Sequence, residues 1–475
     1  MEKLTLDSLE NYQKVDTDRI SRDTLEALEH LNRKIVVLDD DPTGVQTVHG
    51  VSVYTSWDEE ALADGFREKN SIFFILTNSR GLTSQETEKL HTDIAKTLVK
   101  VSAACGKDYV LISRSDSTLR GHYPLETDTL KRTIEALSAK RFDGEVIFPF
   151  FLEGGRYTIS NIHYVREGNQ LIPAGDTEFA RDKSFSYKSS HLGEYVEEKT
   201  GGKFSKDSCT CISLEDLRSL NLGKIVGQLL QVADFNKVIV NAIDYVDVKI
   251  FALAFVEAVG RGKEFMFRSA AALTKVLGGI SDRPLLTREQ LIEKGSRNGG
   301  IILIGSHVNK TTRQFEALRD CRKPLTFVEF NQHLVLVENG LDTEVERVIA
   351  EAQASIKGGR SVVVYTRRDR FDLDTQDKDM QLQVSAKISD ALTSVIGRLS
   401  VRPSFILAKG GITASDTGTK ALRVKKALVL GQIKPGIPVW LTGDDSKFPQ
   451  LPYIIFPGNV GEADTLKEIA DMLSI

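Results

Sequence analysis

Three consecutive carboxylates, Asp39-Asp40-Asp41, lead into a Pro42-Thr43-Gly44 turn. Adjacent carboxylates repel one another, and burying them requires a cation or hydrogen-bond donors. Such a triplet can receive substrate hydroxyls, a metal ion or a proton. Two further clusters carry compatible chemistry: Thr77-Asn78-Ser79-Arg80-Gly81, and Ser113-Arg114-Ser115-Asp116-Ser117-Thr118-Leu119-Arg120-Gly121-His122. The planar fork of an arginine matches a carboxylate or a phosphate. Aspartates and serines for hydroxyls beside an arginine for a carboxylate suit a small polyhydroxy acid. A later polar, glycine-hinged segment, Phe151-Leu-Glu-Gly-Gly-Arg156 and onward to His163, could add substrate contacts or close over the site. His163 itself reads as a structural hydrogen-bonding histidine rather than a base.

The C-terminal part carries different chemistry. Ile304 leads into Gly305-Ser306-His307-Val308-Asn309-Lys310, Leu407 into Ala408-Lys409-Gly410-Gly411-Ile412-Thr413, and Ile455 into Phe456-Pro457-Gly458-Asn459-Val460-Gly461. Glycine lets the backbone approach an anion, a helix start offers amides, and Lys409 could pair with a phosphate as a point charge. None of these turns is a Walker A loop, which needs GxxxxGK[ST]. Three glycine-rich turns, each after an apolar run, read together as a nucleotide cradle.

Elements that could position these residues are visible as apolar runs. Lys34–Leu38, Ser71–Leu76, Tyr109–Ile112, Val146–Phe148 and Val238–Val240 are continuous enough to be strands buried on both faces of a parallel sheet. Helical segments such as 84–101 and 126–139 lie between them, which predicts an α/β architecture. In such sheets ligands bind at the carboxyl ends of the strands, where all the clusters fall. Residues 1–31 read as a helical preamble, and about 154–211 as a polar insertion. Gly, Ser and Pro punctuation at 278–299 marks a linker. The rhythm then restarts at Ile301–Ile304, Val362–Tyr365, Phe405–Leu407 and Pro438–Leu441. Two α/β domains are expected, 1–285 and 299–475, each with a mostly parallel sheet flanked by helices.

Composition excludes several classes. The 475 residues include 62 Lys and Arg against 66 Asp and Glu, a formal charge of −4, so a broad nucleic-acid surface is not expected. Apolar residues at 41% are those of an ordinary globular chain. Cys105, Cys209, Cys211 and Cys321 are too scattered for a disulfide framework, and Cys209-Thr-Cys211 is one residue short of a CxxC half-site. No apolar run reaches the roughly 18 residues of a membrane span, and the acidic N-terminus is unlike a signal peptide. A cytoplasmic protein is the expectation.

Taken in order, Asp39-Asp-Asp-Pro-Thr-Gly44, Asn78-Ser-Arg80, Ser115-Asp-Ser-Thr-Leu-Arg-Gly121, Lys409-Gly-Gly-Ile-Thr413 and Pro457-Gly-Asn-Val-Gly461 resemble the four-carbon acid sugar kinase family, from about Lys34 to Gly461. The resemblance implies two α/β domains with the active site in the cleft between them, and ATP-dependent phosphorylation of threonate, erythronate or 3-oxo-tetronate. It places the sugar acid on Asp40, Asp41, Arg80, Arg114, Ser115, Asp116 and Ser117. ATP falls on Ser306, Gly410, Gly411, Ile412, Thr413 and Gly458, with Mg²⁺ held largely by phosphate oxygens and water rather than by protein ligands. Arg80 and Arg114 would clamp the carboxylate, and Asp41 or Asp116 would accept the hydroxyl proton. Domain closure about the linker would exclude water. Many members have Lys at the position of Arg114 and Glu at that of Ile412. The competing expectation is a non-catalytic sugar-acid-binding protein, favoured by Ile412. A dinucleotide-dependent dehydrogenase would want GxGxxG after Leu38, where it is missing. Small-molecule ligands, with neither nucleic acid nor membrane, complete the expected partners, and a homodimer is the commonest assembly for such an enzyme.

Overall fold

The computed structural model describes residues 4–371, 373, 378–458 and 460–474, so Asn459 of the last glycine-rich turn lies outside the described residues. The strands run in chain order as β1 (Lys34–Asp39), β2 (Ser52–Tyr54), β3 (Ile72–Leu76), β4 (Tyr109–Arg114), β5 (Gly144–Phe148), β6 (Arg156–Ile159), β7 (Ile162–Glu167), β8 (Gln170–Pro173), β9 (Thr210–Ile212), β10 (Asn236–Val240) and β11 (Phe265–Ser269). They continue as β12 (Ile301–Ile304), β13 (Thr326–Phe330), β14 (Val362–Thr366), β15 (Ile406–Lys409), β16 (Lys426–Lys434), β17 (Ile437–Thr442) and β18 (Pro452–Phe456). The chain folds into two compact units, Met1–Thr47 with Ser56–Asp282, and Val48–Thr55 with Arg283–Ile475.

The first unit is built on a parallel sheet in the order β3-β1-β4-β11-β5-β10-β9. Its central strands are buried along their whole length, as helices covering both faces of a parallel sheet require. Helices Ser84–Cys105 and Leu125–Leu137 pack together, as do Thr17–His30 and Tyr245–Gly260. The preamble is thus docked by Ile20, with Thr24 Oγ1 donating to the Lys249 carbonyl at 3.3 Å. Strand β11 gives little sign in the sequence, since only Phe265, Met266 and Phe267 precede Arg268-Ser269. The polar insertion forms an antiparallel meander, β6-β7-β8, and ends in β9, which is an edge strand of the main sheet rather than part of an excursion.

The second unit carries the order β13-β14-β12-β15-β18 in parallel, then β17, β16 and β2 antiparallel. Its core gathers Ile302, Ile304, Val363, Leu407, Val439 and Ile454 from the strands with Leu466 and Ile469 from the last helix. Val48–Thr55 belongs to this unit because β2 bonds to β16, with Tyr54, Val53 and Ser52 opposite Lys426, Ala427 and Leu428. Three residues carry no periodicity that names a sheet. Cys105, Cys209, Cys211 and Cys321 are free thiols. Among the described residues no helix is long and apolar enough to cross a membrane.

Candidate functional site

In the first unit the carboxyl ends of four strands come level. Asp39 is in register with Leu76 on one side and Arg114 on the other, and Arg114 with Ser269. The next strands of this sheet after β1 are β3 on one flank and β4 on the other, so the order reverses at β1. The turns leaving a reversal point diverge and open a crevice. After β3, Asn78 adopts a left-handed conformation (φ 53°), which returns Arg80 towards β1, and the Arg80 amide donates to the Asp40 carbonyl at 3.3 Å. The following helix starts on a Thr83–Glu86 capping box. After β4, the Ser115 amide donates to the Ser269 carbonyl at 2.9 Å, which fixes Ser115-Asp116 over the same edge.

The side chains form one ionic network. Arg80 grips Asp40 with two bonds, Nε to Oδ2 at 3.0 Å and Nη2 to Oδ1 at 2.6 Å. Its Nη1 lies 2.5 Å from Asp41 Oδ2 and 3.9 Å from Asp116 Oδ1. Arg114 is buried, with Nη1 at 3.0 Å from Asp39, 3.6 Å from Asp40 and 3.3 Å from Asp41. Ser115 Oγ donates to Asp40 Oδ2 at 2.8 Å. Asp41 Oδ1 also accepts from the Thr43 amide at 2.7 Å and from its hydroxyl, the local turn expected of Asp-Pro-Thr. Asp116 Oδ2 accepts from Arg120 Nε at 2.7 Å and from Thr118, whereas its Oδ1 accepts no hydrogen bond from the described residues.

Asp40, Asp41, Arg80, Arg114, Ser115 and Asp116 are therefore brought together. Ser117 adjoins them and is buried, its backbone carbonyl 2.8 Å from His163 Nε2. His163 is fully buried, its Nδ1 paired with Thr158 Oγ1 at 3.0 Å, and burial pushes it down to about 4, so it is neutral support. The arginines correct one expectation. Arg80 and Arg114 do not stand ready to clamp a substrate carboxylate, because both are bonded to the aspartate triplet. They also donate into the close Asp39-Asp40-Asp41 group, which otherwise resembles a cation cage.

Burial separates the carboxylates into two kinds. Asp39, sealed behind Arg114, is pushed up to about 8 by burial against the pull of Arg114, with Asp41 and Asp40 adding to the rise. Burial raises Asp40 as well, despite Arg80. Burial also works against ionisation of Asp41, but Arg80, Arg114 and Thr43 outweigh it and hold that carboxyl low. Asp116 is held far below the usual range by Arg120, Arg80 and Thr118, again against burial. Asp41 and Asp116, the two carboxylates nearest solvent, are thus the two held low. Because Asp39 is raised in the folded state, its contribution to stability is complete below its ordinary value of 3.8 and is lost as pH climbs towards about 8. Chemical unfolding between about pH 5 and pH 9 is expected to show wild type losing stability relative to Asp39→Asn as pH rises. Parallel profiles would mean that Asp39 is ionised throughout.

The supports include residues not picked out in the sequence. Arg268, at the end of β11, donates to Ser113 Oγ at 2.8 Å and Ser115 Oγ at 2.7 Å, and pairs with buried Glu126. Glu126 in turn accepts from Ser79 Oγ at 2.6 Å. The signal that could have found Arg268 is its strand-end place, lost because β11 itself was not evident. Two glycines are required by contact. A Cβ on Gly44 would fall 1.8 Å from Asp39 Oδ2, and one on Gly121, at φ 123°, would fall 2.7 Å from Ser115 Oγ. Gly44→Ala is expected to lower unfolding stability by about 1–3 kcal/mol, read from the urea midpoint, through displacement of Asp39.

In the second unit the turns after β12, β15 and β18 converge. A Cβ on Gly305 would stand 2.3 Å from Thr413 Oγ1, one on Gly410 (φ 119°) 3.0 Å from Ser306 Cβ, and one on Gly458 3.4 Å from Ser306 Oγ. Thr311 Oγ1 links Ser306 Oγ at 3.1 Å to the Gly458 carbonyl at 3.3 Å. Ser306, Gly410, Thr413 and Gly458 are thus assembled, and the space beyond the Gly411 Cα is open. This backbone cradle fits a phosphate chain. Lys409 corrects a second expectation: its buried Nζ donates to the Pro457 carbonyl at 2.6 Å and lies 3.8 Å from the Phe456 ring centroid, so it braces the last turn instead of reaching out for phosphate. Burial and Lys310 push it down to about 6. Ile412 is 70% exposed. The nearby Asp416 is occupied by Ser389 and Lys420, so no carboxylate of this turn is ready for Mg²⁺ among the described residues.

Comparison with known proteins adds to this geometry. Residues 35–277 match the family model of a sugar-binding N-terminal domain, and residues 301–466 that of a nucleotide-binding C-terminal domain. Among solved structures, a Salmonella typhimurium LT2 protein provisionally named a tRNA synthase is 16% identical, with a TM-score of 0.63 over 93% of this chain and 100% of its own. A Haemophilus influenzae protein from a family labelled as a domain of unknown function is also 16% identical, with a TM-score of 0.56 over 92% of this chain and 100% of its own. At that identity the likeness concerns the fold alone. None of the curated proteins matches the sequence.

Proposed function

Because the chain belongs to the family that joins a sugar-binding N-terminal domain to a nucleotide-binding C-terminal domain, the architecture of the four-carbon acid sugar kinases, we propose that it phosphorylates a hydroxyl of a small sugar acid with ATP. The observation that carries this reading is Asp116 Oδ1: an oxygen that accepts no hydrogen bond from the described residues, on a carboxyl held low by Arg120 and Arg80, at a strand-end site lined by Asp41, Arg80 and Ser115. A substrate hydroxyl donating to that oxygen is both oriented and relieved of its proton as the oxygen–phosphorus bond forms. The bond from the γ-phosphorus to the β-phosphate oxygen breaks, and ADP leaves with that oxygen. Asp41, the other carboxyl held low, orients a neighbouring hydroxyl, and Arg80 between them holds both. Phosphoryl transfer asks mainly for such positioning and for charge compensation. Ser306 and the backbone of Gly410, Gly411 and Gly458 would hold the ATP phosphates, and Mg²⁺ on those phosphates would supply the remaining charge compensation.

The test is coupled ADP release with Mg-ATP against threonate, erythronate, 3-oxo-tetronates and longer aldonates. Acid-dependent ADP is expected with at least one four-carbon acid. Exposed Ile412, where many family members have an acid, favours the alternative of a non-catalytic sugar-acid binder. Calorimetric binding of an acid without ADP release would establish that alternative and overturn the kinase reading.

A further inference from the structure

Once Arg80 and Arg114 are committed to aspartates, an acid substrate still needs a cation for its carboxylate. We infer that Arg156, carried by the segment between β5 and β9, takes that carboxylate and makes the site selective for acids over neutral polyols; the inference rests on the sugar-acid reading of the same site. The backbone of Arg156 is fixed to the active edge of the sheet. Its amide donates to the Phe151 carbonyl at 2.8 Å, and the Phe151 amide donates to the Arg156 carbonyl at 3.1 Å. Phe151 packs against Ala270 and Ala271, which directly follow β11. The turn that aims Arg156 depends on Gly155, at φ 71°, where a Cβ would stand 2.8 Å from Arg166 Cβ.

The guanidinium itself lacks a counter-ion. Among the described residues no carboxylate lies within ion-pair distance, its Nη1 donates to the Gly154 carbonyl, and its buried Nε has no partner. Its carbon lies 5.6 Å from the Phe179 ring centroid, and Arg120 lies 5.0 Å from the same ring. Arg120 is satisfied, by Asp116 at 2.7 Å and Asp182 at 3.5 Å, whereas Arg156 is not. Both guanidiniums lie over the one Phe179 ring and Arg120 holds Asp116, so that ring links Arg156 to the carboxylate proposed to receive the hydroxyl proton. A partly desolvated arginine without a carboxylate is costly and is offset by an anionic ligand. A hydroxy acid offers a carboxylate to Arg156 and a hydroxyl to Asp116; a neutral polyol leaves the cation unpaired.

Arg156→Met and Arg156→Lys test this with threonate, erythronate and uncharged erythritol. Arg156→Met is expected to weaken aldonate binding by about 10–100-fold, the range of a charged hydrogen-bonded contact, with erythritol binding unaltered. Arg156→Lys, which keeps the charge, is expected to recover part of the loss. The ligand-free unfolding midpoint of Arg156→Met should not fall, because no protein carboxylate loses a partner. Unchanged aldonate affinity in Arg156→Met, or an equal loss for erythritol, would overturn the inference. Calorimetry keeps the two ideas separable. If wild type binds aldonate without releasing ADP and Arg156→Met loses that binding, the kinase reading falls and Arg156 stands. If wild type binds no four-carbon acid, both fall.

Discussion

Asp116→Asn is expected to cut turnover with the preferred acid by about 10²–10⁴-fold, the range for loss of a positioned proton acceptor, with little change in KM. The asparagine oxygen can still accept from Arg120 and Thr118, so the turn from Ser115 to Gly121 stays in place. The amide that replaces Oδ1 no longer accepts the substrate proton. Asp41→Asn is expected to behave differently, since Asp41 also holds Arg80 at 2.5 Å and Arg114 at 3.3 Å. Its loss loosens both arginines and raises KM as well as lowering kcat. Steady-state ADP release over a range of acid concentrations separates the two patterns. Turnover of Asp116→Asn within a few-fold of wild type would move the proton acceptor elsewhere, and Asp41 would be next.

Arg80→Met should destabilise the ligand-free protein by about 3–5 kcal/mol, as expected when one partner of a buried ion pair is removed. The bidentate contact to Asp40 is lost, and Asp41 and Asp116 lose a shared neighbour. An arginine reserved for a substrate carboxylate behaves in the opposite way: its removal costs affinity and leaves the ligand-free protein intact. Urea unfolding without ligand therefore decides between the two roles. The double variant Arg80→Met/Asp40→Asn is expected to regain part of the loss, because the uncompensated carboxylate is gone and the two sites are coupled. An unchanged midpoint in Arg80→Met would return Arg80 to the role of substrate clamp.

The aspartate triplet, the arginine and serine clusters and the glycine turns were legible as chemistry because each follows a continuous apolar run, and strand ends are where ligands bind in parallel sheets. The same runs disclosed two α/β halves. Less evident were the short or interrupted strands. β2 has three residues and β11 ends in Arg268-Ser269, and both are strands only because neighbouring backbones complete their hydrogen bonds. With β11 went Arg268, and with Arg268 the support of Ser113, Ser115 and Glu126.

Residue types, their order and their strand-end positions were determined by the sequence alone, because apolar periodicity and turn chemistry are local properties. Which of these groups pair with one another was decided only by the tertiary structure. Asp40 and Arg80 are 40 residues apart, and Asp39 and Arg114 are 75 apart. Only the register of β1, β3 and β4 brings them within 3 Å, and only burial makes those pairings obligatory. That pairing turned Arg80 and Arg114 from expected substrate clamps into supports, whereas Arg156 has no carboxylate within ion-pair distance among the described residues.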